Sequence, residues 1–290
     1  FIYFFEKEDI NTEYNNYKIK LFSLPFHNFG QMEEPIAYTK LLKPVAYLEQ
    51  TKDKVFLTSG NGIFFYFEKE RIKELMDNQN LLSKYNNLEL KRINTNIREI
   101  ILNDKFYREG YPGIRDLMIL DNKIYVSYNN TPTHECYNTT IMVSELDTDN
   151  LNFSEFFTYD ECVSEENKEF PSNEAPATWS GGGKMFKFKN NKILFTIGEY
   201  NDRTRAQKKN SMFGKIFSID LRTRFHKLIS MGHRNPQGLY YSKDNDLIIS
   251  TEHGPKGGDE INVNLSVSKE EVKNFGWPIS SYGVHYDGIE

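Results

Sequence analysis

Along most of the chain, apolar and polar residues alternate with a period of two, and one stretch breaks the pattern. Alternation sends successive side chains to opposite faces of a strand, so it predicts a mostly β protein. The exception, Glu68-Lys69-Glu70-Arg71-Ile72-Lys73-Glu74-Leu75-Met76, reads as a short surface helix after a strand. A polar turn carrying Asp or Asn with Lys, then an alternating strand ending in Ser or Thr, occurs four times, at 51–59, 120–127, 189–196 and 243–250. Each copy follows a short apolar run, at 45–48, 117–119, 185–188 and 238–241. Strand, tight turn, strand is the grammar of a hairpin. Hairpins returning every 54 to 69 residues, with a further outer strand at 63–67 or 214–220, fit radial blades of about four strands. The expected fold is all-β, a β-propeller of four-stranded antiparallel blades forming a single domain over 1–290. Antiparallel meanders in a sandwich are the other reading of this pattern. After four units, 281–288 reads as the opening of a fifth, so we expect a C-terminally truncated chain, because an unclosed ring exposes sheet edges.

Composition narrows the function. With 36 Lys and Arg against 41 Asp and Glu, there is no basic excess to neutralise phosphates, which argues against a nucleic-acid partner. No run approaches the roughly 20 apolar residues of a spanning helix, so no membrane span is expected. The start, Phe1-Ile2-Tyr3-Phe4-Phe5, has neither an initiator Met nor a basic leader with a cleavage site, and reads as a mature or internal start. Cys136 and Cys162 are the two cysteines; they are either a bridged pair or two unrelated thiols. We expect the bridge, and with it an oxidising, periplasmic or extracellular, compartment.

Candidate chemistry is densest at 232–278. Arg234 offers a planar fork of donors suited to a carboxylate, phosphate or quinone oxygen, and Asn235 adds a donor and an acceptor beside it. The plainer reading pairs Arg234 with Asp259 or Glu260 to lock two loops. Gly254-Pro255 and Asp259-Glu260 place backbone carbonyls and two carboxylates within one loop, hard oxygens that suit Ca²⁺; a solvated acidic turn is the alternative.

Gly232-His233-Arg234-Asn235-Pro236-Gln237-Gly238, then Glu252-His253-Gly254-Pro255 with Gly257-Gly258-Asp259-Glu260-Ile261-Asn262, then Gly276-Trp277-Pro278, resemble the signature of the soluble pyrroloquinoline-quinone (PQQ)-dependent glucose/sorbosone and aldose sugar dehydrogenases. Gly182-Gly183-Lys184-Met185, Thr196-Ile197-Gly198-Glu199 and Ala206-Gln207 are similar to further landmarks, so the resemblance covers about 110–290. It implies a six-bladed propeller that oxidises sugars at the anomeric carbon, with PQQ and Ca²⁺ as cofactors and a sugar or glycan as partner. Arg234 and Asn235 match the pair that holds the quinone. Gly254 and Pro255 match backbone ligands of the quinone-bound Ca²⁺; Glu260, supported by Asp259, matches a ligand of a structural one. Phe275 stands where the family carries Tyr. Two departures bear on catalysis. Ser180, next to Trp179, stands at the position of the catalytic His, and Tyr111 stands in place of a Gln that positions cofactor and sugar. A serine hydroxyl holds its proton too tightly to serve as that base, which leaves His253 or His233 as substitutes. The resemblance thus implies a sugar dehydrogenase or, with the base lost, a non-catalytic Ca²⁺-stapled propeller that binds a glycan or protein.

Overall fold

The structure, a computed structural model, describes residues 46–77, 90–107, 113–169, 176–265, 267 and 271–284. Tyr111 lies outside them. Four antiparallel sheets follow one another along the chain. The first holds β1 (Ala46–Gln50), β2 (Lys54–Ser59), β3 (Phe64–Glu68) and β4 (Lys91–Thr95). The second holds β5 (Ile114–Leu120), β6 (Lys123–Thr133) and β7 (Cys136–Glu145); after the short β8 (Asn150–Leu151) it is completed by β9 (Ser154–Phe157). The third runs β10 (Gly182–Phe188), β11 (Lys192–Ile197), β12 (Lys215–Asp220) and β13 (His226–Met231). In the fourth, β14 (Pro236–Ser242), β15 (Leu247–Glu252) and β16 (Glu260–Asn264) are described. The first strand of each sheet packs against the first strand of the next, which makes the sheets four blades of a propeller. Between blades, β8 pairs in parallel with β4, and β17 (Lys273–Asn274) with β13.

Each expected hairpin forms, and the repeated polar turn explains two of them directly. Asp121 and Asn122, and likewise Asn190 and Asn191, have φ between 51° and 58°, the left-handed pair a two-residue hairpin turn requires. Helix α1 (Lys69–Asp77) follows β3, as the change of period predicted, and lays Ile72 against the small core of Leu57, Phe65 and Phe67.

The period of two has a specific consequence here. Leu117, Ile124 and Val126 enter the core between the first and second blades, while their neighbours Met118 and Tyr125 enter the one between the second and third. Ile193 and Phe195 face that same second core, and Leu194 turns the other way to join Leu239 and Ile248 of the fourth blade. Inner strands are therefore apolar on both faces, and each large side chain so buried contributes about 1.5–3 kcal/mol. Cys136, at the start of β7, is disulfide-bonded to Cys162 with Cα atoms 5.4 Å apart. Among the described residues no helix is long and apolar enough to cross a membrane.

Candidate functional site

The turn that leads into β10 holds Trp179 and Ser180, and it is latched by its neighbours on both sides. From the second blade, Asn129 donates to the Thr178 carbonyl at 2.9 Å, Thr139 to that of Gly181 at 2.7 Å, and Arg115 Nε to that of Gly182 at 2.9 Å. The Trp179 carbonyl accepts from Arg115 Nη2 at 3.1 Å, Asn235 Nδ2 at 3.1 Å and Gln237 Nε2 at 3.3 Å. Such close approach requires glycine: at Gly183, with φ of 101°, a Cβ would lie 2.3 Å from the Cβ of Arg115. The side chains on the turn point in opposite directions. Ser180 is buried and its hydroxyl has no hydrogen-bond partner among the described residues, whereas Trp179 is 63% exposed. Ser180 therefore does not face solvent.

Three separated motifs meet at Arg234. Its backbone N–H donates to Glu252 Oε2 at 2.6 Å, and its Nη1 donates to the carbonyls of His253 at 3.1 Å and Gly254 at 2.9 Å. The guanidinium carbon lies 5.5 Å from the centre of the Trp277 ring. The partners of Arg234 include these backbone carbonyls and an aromatic face. Asn235 is buried, and its amide holds the turn described above, with Oδ1 accepting from Gly182 N at 3.2 Å.

Glu252 is the hub of a buried network. Its Oε1 accepts from His233 Nδ1 at 2.8 Å and Asn262 Nδ2 at 2.6 Å, and His233 Nε2 lies 2.8 Å from Ser230 Oγ. This corrects the expectation for His233: fully buried, with both ring nitrogens engaged, it cannot meet a substrate. His253 stays outside, its side chain 59% exposed and Nδ1 3.8 Å from Asp259 Oδ2. Glu260 does not lie in the loop but opens β16, opposite Glu252.

Gln237, Thr251, Glu252, His253, Asp259 and Glu260 line an open cavity of about 360 Å³. The oxygens that the sequence offers to a cation are the carboxylates of Asp259 and Glu260, which line it, and the carbonyls of Gly254 and Pro255, which follow His253 in the chain. That kind of donor set fits Ca²⁺. Gly254 lets the loop fold back on itself, since a Cβ there would lie 1.7 Å from the Gly258 carbonyl. Burial raises the Glu260 carboxyl above the usual range. Among the described residues no three His, Cys, Asp or Glu side chains converge on one point, so any cation would rest mainly on backbone carbonyls.

Glu199 was quoted in the sequence only as part of a landmark. It is buried just past β11, its Oε2 without a hydrogen-bond partner among the described residues, and burial pushes its carboxyl from 4.5 to about 7 while the charge of Arg234 pulls the other way. A folded pKa raised above the unfolded one stabilises fully below about pH 4.5, and that stability is lost as pH rises through about 7. The loss is on the order of 3 kcal/mol. Urea midpoints at pH 5 and pH 8 should differ less in Glu199→Gln than in the wild type; equal pH dependence in the two would contradict this.

The glucose/sorbosone dehydrogenase family matches residues 71–290. The chain is 29% identical to the aldose sugar dehydrogenase YliI of Escherichia coli over 122 residues, covering 38% of this chain and 32% of that protein. A crystal structure of a glucose dehydrogenase superposes with a TM-score of 0.60 at 21% identity, over 83% of this chain and 65% of the other. The PQQ-bound aldose sugar dehydrogenase of Streptomyces coelicolor superposes with a TM-score of 0.51 at 13% identity, over 82% and 68%. The chain thus spans about a third of that curated relative and about two thirds of these solved structures. The family match extends from α1 to the last residue and takes in Ser180, Arg234 and the Gly254 loop: the chain belongs to the glucose/sorbosone dehydrogenase family.

Proposed function

We propose that this chain belongs to a PQQ-dependent sugar dehydrogenase that oxidises an aldose at its anomeric carbon. The observation that carries the reading is the meeting of three motif stretches at Arg234, beside an open cavity lined by His253, Asp259 and Glu260. When bound, PQQ would supply the hydride acceptor and Ca²⁺ a Lewis acid that polarises it. Arg234 holds a quinone carboxylate or carbonyl oxygen, with Asn235 keeping the adjoining turn in place. Gly254 and Pro255 supply carbonyls to the cation, with Asp259 and Glu260 adding negative charge nearby. The Gly254 carbonyl has a second lone pair beyond the one Arg234 uses, so the two roles are compatible. His253 is the exposed imidazole of this face. With Nδ1–H turned toward Asp259, its Nε2 accepts the proton of the anomeric hydroxyl, in place of the histidine that Ser180 replaces. The Cys136–Cys162 bridge supports a periplasmic or extracellular setting.

Calorimetric titration of PQQ with Ca²⁺ present, followed by aldose oxidation with an artificial electron acceptor, tests the reading. We expect Ca²⁺-dependent binding and turnover, with Arg234→Ala weakening quinone binding about 10-fold or more through loss of a charge-assisted contact. The absence of quinone binding would sink the reading. It would leave the second one, a non-catalytic propeller that binds a glycan or protein, which the inward-turned Ser180 hydroxyl favours.

A further inference from the structure

The turn at the base position presents a flat apolar surface instead of a base. We propose that Trp179 is the platform on which one face of the sugar ring stacks. The proposal rests on the sugar-oxidising reading above and names the residue that orients the substrate.

Four observations support it. Thr178 and Ser180 are buried, so Trp179 is the one side chain of that helical turn that faces outward. Among the described residues no ring or cation packs on its indole, although it is one of only two tryptophans in the chain. Its carbonyl is held by three donors, from Arg115 of the second blade and from Asn235 and Gln237 at the start of the fourth, so the backbone beneath the ring is fixed before any ligand arrives. Gln237, one of these donors, also lines the 360 Å³ cavity. A pyranose has one face of C–H bonds and a perimeter of hydroxyls. Its C–H face meets the negative face of an aromatic ring favourably, while the hydroxyls reach polar groups such as Gln237, His253 and Asp259. Pre-ordering the turn reduces the entropy lost on binding.

The test uses the protein loaded with PQQ and Ca²⁺ and a methyl glucopyranoside, whose blocked anomeric oxygen prevents oxidation, so that binding is read without turnover. Calorimetry should show binding weakened about 10-fold in Trp179→Ala and largely restored in Trp179→Phe. Ligand should shift the tryptophan emission of the wild type and leave that of Trp179→Phe, which reports only the buried Trp277, unchanged. With glucose as substrate, Trp179→Ala should raise KM more than it lowers kcat. Equal glycoside affinity in wild type and Trp179→Ala would overturn the platform while leaving the dehydrogenase reading intact. Turnover of glucose by the wild type with no emission shift from the glycoside would do the same. PQQ that binds without any sugar binding or turnover would overturn the parent reading and the platform with it. Trp179 emission already of the buried type in the sugar-free protein would place another part of the chain on the ring, and would also overturn the platform.

Discussion

Glu252→Ala is expected to destabilise the protein by about 3–5 kcal/mol, because removing one partner of a buried network strands the others. Three donors lose an acceptor at once: His233 Nδ1–H, the Arg234 backbone N–H and the Asn262 amide, which keeps Glu260 Oε2. In the neutral imidazole the proton lies on Nδ1, facing a carboxylate that can only accept, and Nε2 accepts from Ser230. Ser230 lies on β13, Glu252 on β15 and Asn262 on β16, so the network ties the third blade to the fourth. Glu252→Gln keeps one acceptor oxygen and should lose less. Urea unfolding of the three proteins measures the order; an alanine variant within about 1 kcal/mol of the wild type would show that the network does not hold the blades together. Weaker quinone binding in a still-folded Glu252→Ala would follow from the loss of the backbone anchor of Arg234.

The double substitution Cys136→Ser with Cys162→Ser is expected to lower stability by about 3.5 kcal/mol, the loop-closure term for the 26-residue separation of the pair. The segment the bridge fastens also carries Glu161. That carboxylate accepts from Arg205 Nη1 at 2.9 Å, Ser211 Oγ at 2.8 Å and Met212 N at 2.7 Å. Arg205 is in turn paired with buried Asp202 at 2.6 Å. Loosening the loop therefore frees a buried arginine of the third blade from one of its two carboxylates, so the effect should reach beyond the second blade. A lower urea midpoint in the double variant, reproduced in the wild type by a reductant, is the expected result. Unchanged midpoints in both would mean that the loop is held as well without the bridge.

Much of the blade architecture was legible because its signals are local. The turn pairs Asp121-Asn122 and Asn190-Asn191 announce left-handed backbone in their residue types, and the alternation on either side assigns strands directly. The helix at 69–77 was legible for the same reason, as a change of period. Order and spacing of the motifs at 232–278 were enough to indicate the family, which the match over 71–290 bears out.

The site was less legible, since side-chain direction depends on partners far along the chain. Nothing in Trp179-Ser180 says which residue turns inward; Arg115, Asn129 and Thr139 on one blade and Asn235 and Gln237 on the next decide it by seizing the carbonyls of the turn. His233 and His253 look alike in the sequence, yet the pairing of β15 with β16 and the end of β13 bury the first against Glu252 and Ser230 and leave the second exposed. Glu199 carries no sign of its raised pKa, which arises from burial. Local backbone preference and hydrophobic period thus specified strands, turns and family. Hydrogen bonds between blades, made by residues 19 to 67 positions apart and exchanged for water only once the sheets stack, decided which groups face the cavity.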